Sequence, residues 1–186
     1  MVARGDLGAT VKRIEATGRK KLIFAGISLE VCAGIGELAQ SERFAAAEPD
    51  MVSAIVEGIG QFAAGEWAPL NRVGDLGGAR LENGVVRLPD GFADAYAHYV
   101  EQGWNAISGD AEFGGQGLPF TLSANVIENL GTANMAFGLL PMLTVGAIDA
   151  IHLHGSEAQK ATYLAKLVSG EWTGTMNLTE PQAGSD

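Results

Sequence analysis

Between residues 49 and 168 apolar side chains recur at helical spacing in one stretch after another, and only from Trp172 does the period change to alternation. That order restricts the fold to helices first and a strand last, and it excludes an alternating βαβ sheet. The first stripe is Val52, Ile55, Val56, Ile59, Phe62, Ala63 and Trp67. It follows a Pro49 suited to a first helical turn and is expected to end at Pro69. Residues 81–88 hold Asn83-Gly84 between apolar residues, a hairpin signal. A second helix carries Phe92, Ala95, Tyr96, Tyr99 and Val100 and ends near Gly103. Gly114-Gly115-Gln116-Gly117 then imposes a loop. A third helix runs from about Pro119 to Gly131 with Leu122, Val126, Ile127 and Leu130 on one face. A fourth, nearly all apolar, covers residues 134–154 and should bend near Pro141. Gly155 is its expected C-cap. Ser156 with Gln159 reads as a capping box for a last helix, whose stripe is Ala158, Thr162, Ala165 and Leu167 or Val168. The fold class is mostly α: a helical bundle followed by the start of a β-domain.

Composition narrows the function classes. The chain has 186 residues and 47% apolar side chains, enough for a packed core. A net charge of −10 argues against nucleic acid as a partner. The single cysteine, Cys32, excludes an internal disulfide framework and fits a reducing, cytoplasmic setting. No run reaches the roughly 18 unbroken apolar residues of a membrane span, so no transmembrane segment is expected. Arg4, Lys12, Arg13, Arg19, Lys20 and Lys21 cluster ahead of an apolar stretch. Glu30 interrupts that stretch and Leu29-Glu30-Val31 makes a poor cleavage site, so residues 1–43 read as an extension outside the main architecture. The helical domain is then 44–170, and a β-domain begins at 171–186.

Some residues invite chemistry and do not carry it. His152 and His154, two apart on a helix, point to different faces and cannot share a metal. His98 is a lone helical histidine of the surface or boundary kind. The glycines at 114–117 follow no strand and precede no Lys-Ser/Thr pair, so they are a turn between helices and not a phosphate loop.

The end of the chain is different. The alternating stretch Trp172-Thr173-Gly174-Thr175-Met176-Asn177-Leu178 delivers Thr179-Glu180-Pro181-Gln182-Ala183-Gly184-Ser185-Asp186. A strand running into a Gly-Ser turn lets backbone N–H groups and hydroxyls approach phosphates and ring heteroatoms. As a string it resembles the flavin-binding signature of the acyl-CoA dehydrogenase family. Upstream, Gly103-Trp104 with Glu112-Phe113-Gly114-Gly115-Gln116-Gly117-Leu118 is similar to that family's Gly-Gly loop. Gly155-Ser156-Glu157-Ala158-Gln159-Lys160 with Tyr163-Leu164 is similar to one of its helices, and Ser169-Gly170-Glu171 to the opening of its first strand. The resemblance covers roughly residues 48–186. Asp110 departs from it, standing where the family often has Pro.

The resemblance implies an FAD enzyme that takes a proton from the carbon alpha to a thioester and a hydride from the beta carbon. It implies that Met176, Leu178 and Thr179 line the flavin ring, with the Thr179 hydroxyl at its N5–O4 edge. Gly184 and Ser185 would meet the pyrophosphate, and Ser185 the acyl-CoA as well. The apolar helix around Phe137 and Leu140 corresponds to the acyl-pocket wall, although plain bundle core accounts for each residue equally well. The family's catalytic Glu belongs to a later helical bundle, so the chain reads as an N-terminal part with no catalytic residue, inactive alone. Implied partners are acyl-CoA, an electron-transferring flavoprotein and further copies in a dimer or tetramer. An acyl-CoA oxidase or flavin monooxygenase of the same fold, and a helical remnant acting only in interactions, remain as alternatives.

Overall fold

A computed structural model describes residues 34–184. The N-terminal basic cluster, Cys32, Ser185 and Asp186 lie outside the described residues. After a single helical turn at Ile35–Leu38, the helices are α1 (Pro49–Phe62), α2 (Ala68–Gly77), α3 (Phe92–Glu101), α4 (Phe120–Ala133), α5 (Met135–His154) and α6 (Glu157–Val168). The hairpin strands β1 (Arg80–Glu82) and β2 (Val85–Arg87) stand between α2 and α3.

All seven residues of the first apolar stripe are buried. The helix does not stop at Pro69 as its sequence suggests. A π-helical turn at Ala63–Trp67 joins α1 to α2, and the Ala68 N–H bonds five residues back to the Ala63 carbonyl. This widened turn puts Pro69 in the first turn of α2, where its missing N–H is not needed. It also carries Trp67 into the centre of the core, fully buried. There the indole stacks on Phe137 of α5, with centroids 4.0 Å apart and planes 9° from parallel. Phe92 and Tyr99 of α3 close the cluster, Phe92 at 4.8 Å from Phe137 and Tyr99 at 5.6 Å from Trp67. Ile35 is buried in this same core. Ile35 thus packs in the bundle core although it lies in the stretch read as an extension.

Asn83 and Gly84 both have positive φ, 52° and 78°, the turn that a two-residue antiparallel hairpin requires. α4 and α5 form an antiparallel pair joined at Asn134, whose side chain caps α5 by accepting from the Phe137 N–H at 3.1 Å. Near this corner a Cβ on Gly138 would lie 3.0 Å from the Gly131 Cα, so the two backbones approach closely. α5 stays helical through Pro141. Its 20 residues and mean hydropathy of 1.6 meet the length and composition of a membrane span, although Asp149 breaks the apolar run. In the structure Phe137, Pro141, Thr144 and Ile148 are buried in the bundle.

Gly155 ends α5 with an extended φ of −70°, so it is needed for space and not for handedness. A Cβ there would sit 2.5 Å from the Ile151 carbonyl oxygen. The capping box of α6 is present, with Ser156 N–H to Gln159 Oε1 at 2.8 Å and Gln159 N–H to Ser156 Oγ at 3.3 Å. The stripe read for α6 holds at Leu167 and Val168 and fails at its three small residues. Ala158, Thr162 and Ala165 are exposed, while Leu164, Leu167 and Val168 pack on Ala106 and Ile148 in a second small core. The alanines gave no strong apolar signal, and the larger aliphatics decide which face is buried.

Candidate functional site

The expected strand at 172–178 is not one here. Residues 173–179 take no regular secondary structure and pair with no other strand among the described residues. Alternating residues form a strand only when a neighbouring strand takes their N–H and C=O groups, and among the described residues none does. What holds the segment is α6 at one end and α5 in the middle. The Trp172 N–H donates to the Lys166 carbonyl at 3.0 Å, and the Lys166 ammonium lies 4.3 Å from the indole centroid. The Gly174 N–H then donates to Thr144 Oγ1 of α5 at 3.1 Å. A Cβ on Gly174 would lie 2.6 Å from the Ala147 Cβ, so only glycine permits this approach. Sequence reasoning did not single out Gly174 or Thr144. A glycine inside an alternating stretch and a lone hydroxyl in an apolar helix were the available signals.

Beyond this anchor the side chains are free. Met176 and Leu178 are exposed, Met176 at 62%. The Thr179 hydroxyl has no hydrogen-bond partner among the described residues. Glu180 and Ala183 exchange both backbone hydrogen bonds, at 2.9 and 3.2 Å, and close a two-residue turn over Pro181-Gln182. The Gln182 amide donates to the Glu180 carboxylate, which fits a structural role for that glutamate. Space around the Gly184 Cβ position is open. The segment thus offers an apolar platform, an unused hydroxyl and a tight turn next to one another. Phe137, read as pocket wall, is committed to the Trp67 stack in the core, and Leu140 is half-buried on α5.

The Gly114–Gly117 loop has no capacity for phosphate. Its Gly115, Gln116, Gly117 and Leu118 N–H groups donate to the carbonyls of Asp110, Ala106, Gly109 and Ile107. A Cβ on Gly115 would come within 2.0 Å of the Gly109 carbonyl group, so the glycine pair is a packing device. Asp110 has its own use: its carboxylate accepts from the Glu112 N–H at 2.8 Å and faces His152 Nε2 at 3.8 Å. His98 pairs with Glu66 at 3.2 Å on the surface. No group of three metal-binding side chains occurs among the described residues.

The helical bundle that positions this segment has known relatives. The family model of the acyl-CoA dehydrogenase N-terminal domain matches residues 50–171, and the chain belongs to this family. It is 52% identical over 145 residues to 3-methylmercaptopropionyl-CoA dehydrogenase of Ruegeria pomeroyi, covering 78% of this chain and 25% of that protein. It is 35% identical over 121 residues to a butyryl-CoA dehydrogenase of Syntrophomonas wolfei, covering 63% and 20%. Among solved structures, an acyl-CoA dehydrogenase complexed with FAD from Bacillus anthracis superposes with a TM-score of 0.61 at 26% identity, covering 75% of this chain and 22% of that one. The chain spans a quarter or less of the length of these two curated relatives.

Proposed function

We propose that this chain supplies the helical domain and the first flavin contacts of an FAD-dependent acyl-CoA dehydrogenase, acting on acyl-CoA thioesters in the cytoplasm. The observation that carries the reading is the segment after Gly174, where exposed Met176 and Leu178 adjoin the unpartnered Thr179 hydroxyl. This donor set fits a flat ring with an apolar face and a polar edge. When bound, FAD supplies the acceptor for a hydride leaving the beta carbon of the thioester. Met176 and Leu178 would cover a ring face and help exclude water, and the Thr179 hydroxyl would donate to the edge where charge develops. Gly184 and Ser185 would let the pyrophosphate approach the backbone, Ser185 also meeting the acyl-CoA, with Leu140 and Phe137 on the helix behind the acyl chain.

The names of the Ruegeria and Syntrophomonas relatives support a short acyl group as substrate. A chain from the structural study of the electron-transferring flavoprotein of Acidaminococcus fermentans, at 25% identity and a TM-score of 0.59, supports that kind of electron acceptor. The active assembly is a homo-oligomer, a dimer or tetramer. The 186 residues alone are inactive, because a partial set of contacts does not offset the entropy of holding the cofactor. The test is a pair of preparations. The purified 186-residue chain should be colourless and without turnover on butyryl-CoA or 3-(methylthio)propionyl-CoA with an artificial electron acceptor. Joined to the part of the Ruegeria relative that it does not match, it should bind flavin and turn over. A flavin-free, inactive fusion that is otherwise folded would overturn the reading.

A further inference from the structure

The β1–β2 hairpin is the part of the fold least accounted for by its own contacts. Every residue from Arg80 to Arg87 is exposed, Leu81 at 75% and Val86 at 63%. The pairs are Arg80 with Arg87, Leu81 with Val86 and Glu82 with Val85. Two like charges therefore stand directly opposite each other, a destabilising cross-strand pair. Among the described residues no carboxylate is bonded to either arginine, and Glu82 has no partner. The strands are short and both outer edges are open, which leaves unpaired backbone groups beside large apolar side chains.

Hairpin geometry says which groups face outward. Residues flanking a two-residue turn exchange both backbone hydrogen bonds, so Glu82 and Val85 bond inward, as do Arg80 and Arg87. The Leu81 N–H and C=O then point away from β2. On the outer edge of β1 the sequence is Arg80-Leu81-Glu82, and this triplet is complementary to its own antiparallel copy. With Leu81 on a two-fold axis, the two Leu81 residues exchange both backbone bonds. Each Arg80 then faces the other copy's Glu82 in the closely spaced type of pair.

We propose that this edge is a self-association site, where β1 of one copy pairs antiparallel with β1 of a second copy. The product is a four-stranded sheet in the order β2, β1, β1, β2. One face carries a continuous row of Val86, Leu81, Leu81 and Val86. On the other, each Glu82 neutralises the arginine pair that the single copy leaves uncompensated. The outer edge of β2 lacks this match, because antiparallel self-pairing about Val86 sets Val85 against Arg87. The inference gives the proposed homo-oligomer a specific surface, and it does not depend on the flavin reading.

The test is sedimentation velocity on the full chain over a concentration series, with circular dichroism as the folding control. The wild-type chain should self-associate weakly, as a small contact does. Arg80→Glu alone and Glu82→Arg alone should each weaken association at least about tenfold, because two symmetry-related pairs turn from attractive to repulsive. An equimolar mixture of the two single variants should associate again, since each new charge then meets its opposite. The double variant R80E/E82R should behave like wild type. A monomeric wild-type chain, or association indifferent to the swaps and to mixing, would overturn the proposal. Either result leaves flavin binding to be judged separately.

Discussion

The hydroxyl of Thr144 accepts from the Gly174 N–H at 3.1 Å while it donates to the Leu140 carbonyl at 2.9 Å. One side chain thus satisfies a carbonyl of α5 and anchors the segment that leads to Thr179. Thr144 is buried, and Gly174 has no room for a Cβ. Gly174→Ala should push the segment off α5 without unfolding the bundle. Losing one hydrogen bond of about 1 kcal/mol should speed amide exchange at position 174 roughly fivefold or more. Exchange in α1 should not change, and equal acceleration in both would show that the anchor is global.

Phe137 tests whether α5 presents a pocket wall or a core. Its ring lies 4.0 Å from that of fully buried Trp67. Phe137→Ala should destabilise the chain by about 3–5 kcal/mol through the cavity it leaves. Phe137→Leu keeps most of the volume and should cost about half as much, again read by urea denaturation. A stable Phe137→Ala chain would return this residue to the pocket wall that the sequence suggested.

The helical architecture was readable because large aliphatic and aromatic residues on α1, α3 and α4 fall on one side at each turn. Prediction failed where the deciding physics was not periodic. Pro69 looked like a stop because nothing in the sequence marks a π turn. On α6 Leu167 and Val168 were legible, but the rest of the buried face was not, because alanine and threonine fit either side and only the position of Ala106 and Ile148 selects Leu164. The strand at 172–178 had the right alternation, but strand formation depends on a neighbour that its own residues do not specify. At the site, the Thr-Glu-Pro turn was legible from its composition. Its attachment through Gly174 was not, because a hydrogen bond across 30 positions leaves no local pattern.

Tyr99 gives the core a pH dependence. Burial, with a smaller contribution from neighbouring Tyr96, raises its phenol well above the ordinary value of 10.0. The neutral phenol is the form that the folded state favours. Its contribution is complete below the unfolded value near 10.0 and is drawn down as pH rises from there toward the raised folded value. Stability should therefore fall above pH 10, and Tyr99→Phe should flatten that fall. Urea midpoints for both chains on either side of pH 10 check the slope, and identical slopes would remove Tyr99 from the account.

Thr179 carries the sharpest prediction about chemistry, in a full-length protein containing this domain. Its hydroxyl is exposed and has no partner among the described residues, so it is available as a donor. Thr179→Val keeps the shape and removes the donor. A hydrogen bond to a group that gains charge is worth about 1.5–3 kcal/mol, so flavin reduction should slow roughly ten- to over a hundredfold. Ser185→Ala should act mainly on affinity for FAD or acyl-CoA, with a smaller effect on the chemical step. Single-turnover kinetics with bound flavin quantified separate the two. An unchanged reduction rate in Thr179→Val would make the Thr-Glu-Pro segment a turn and nothing more.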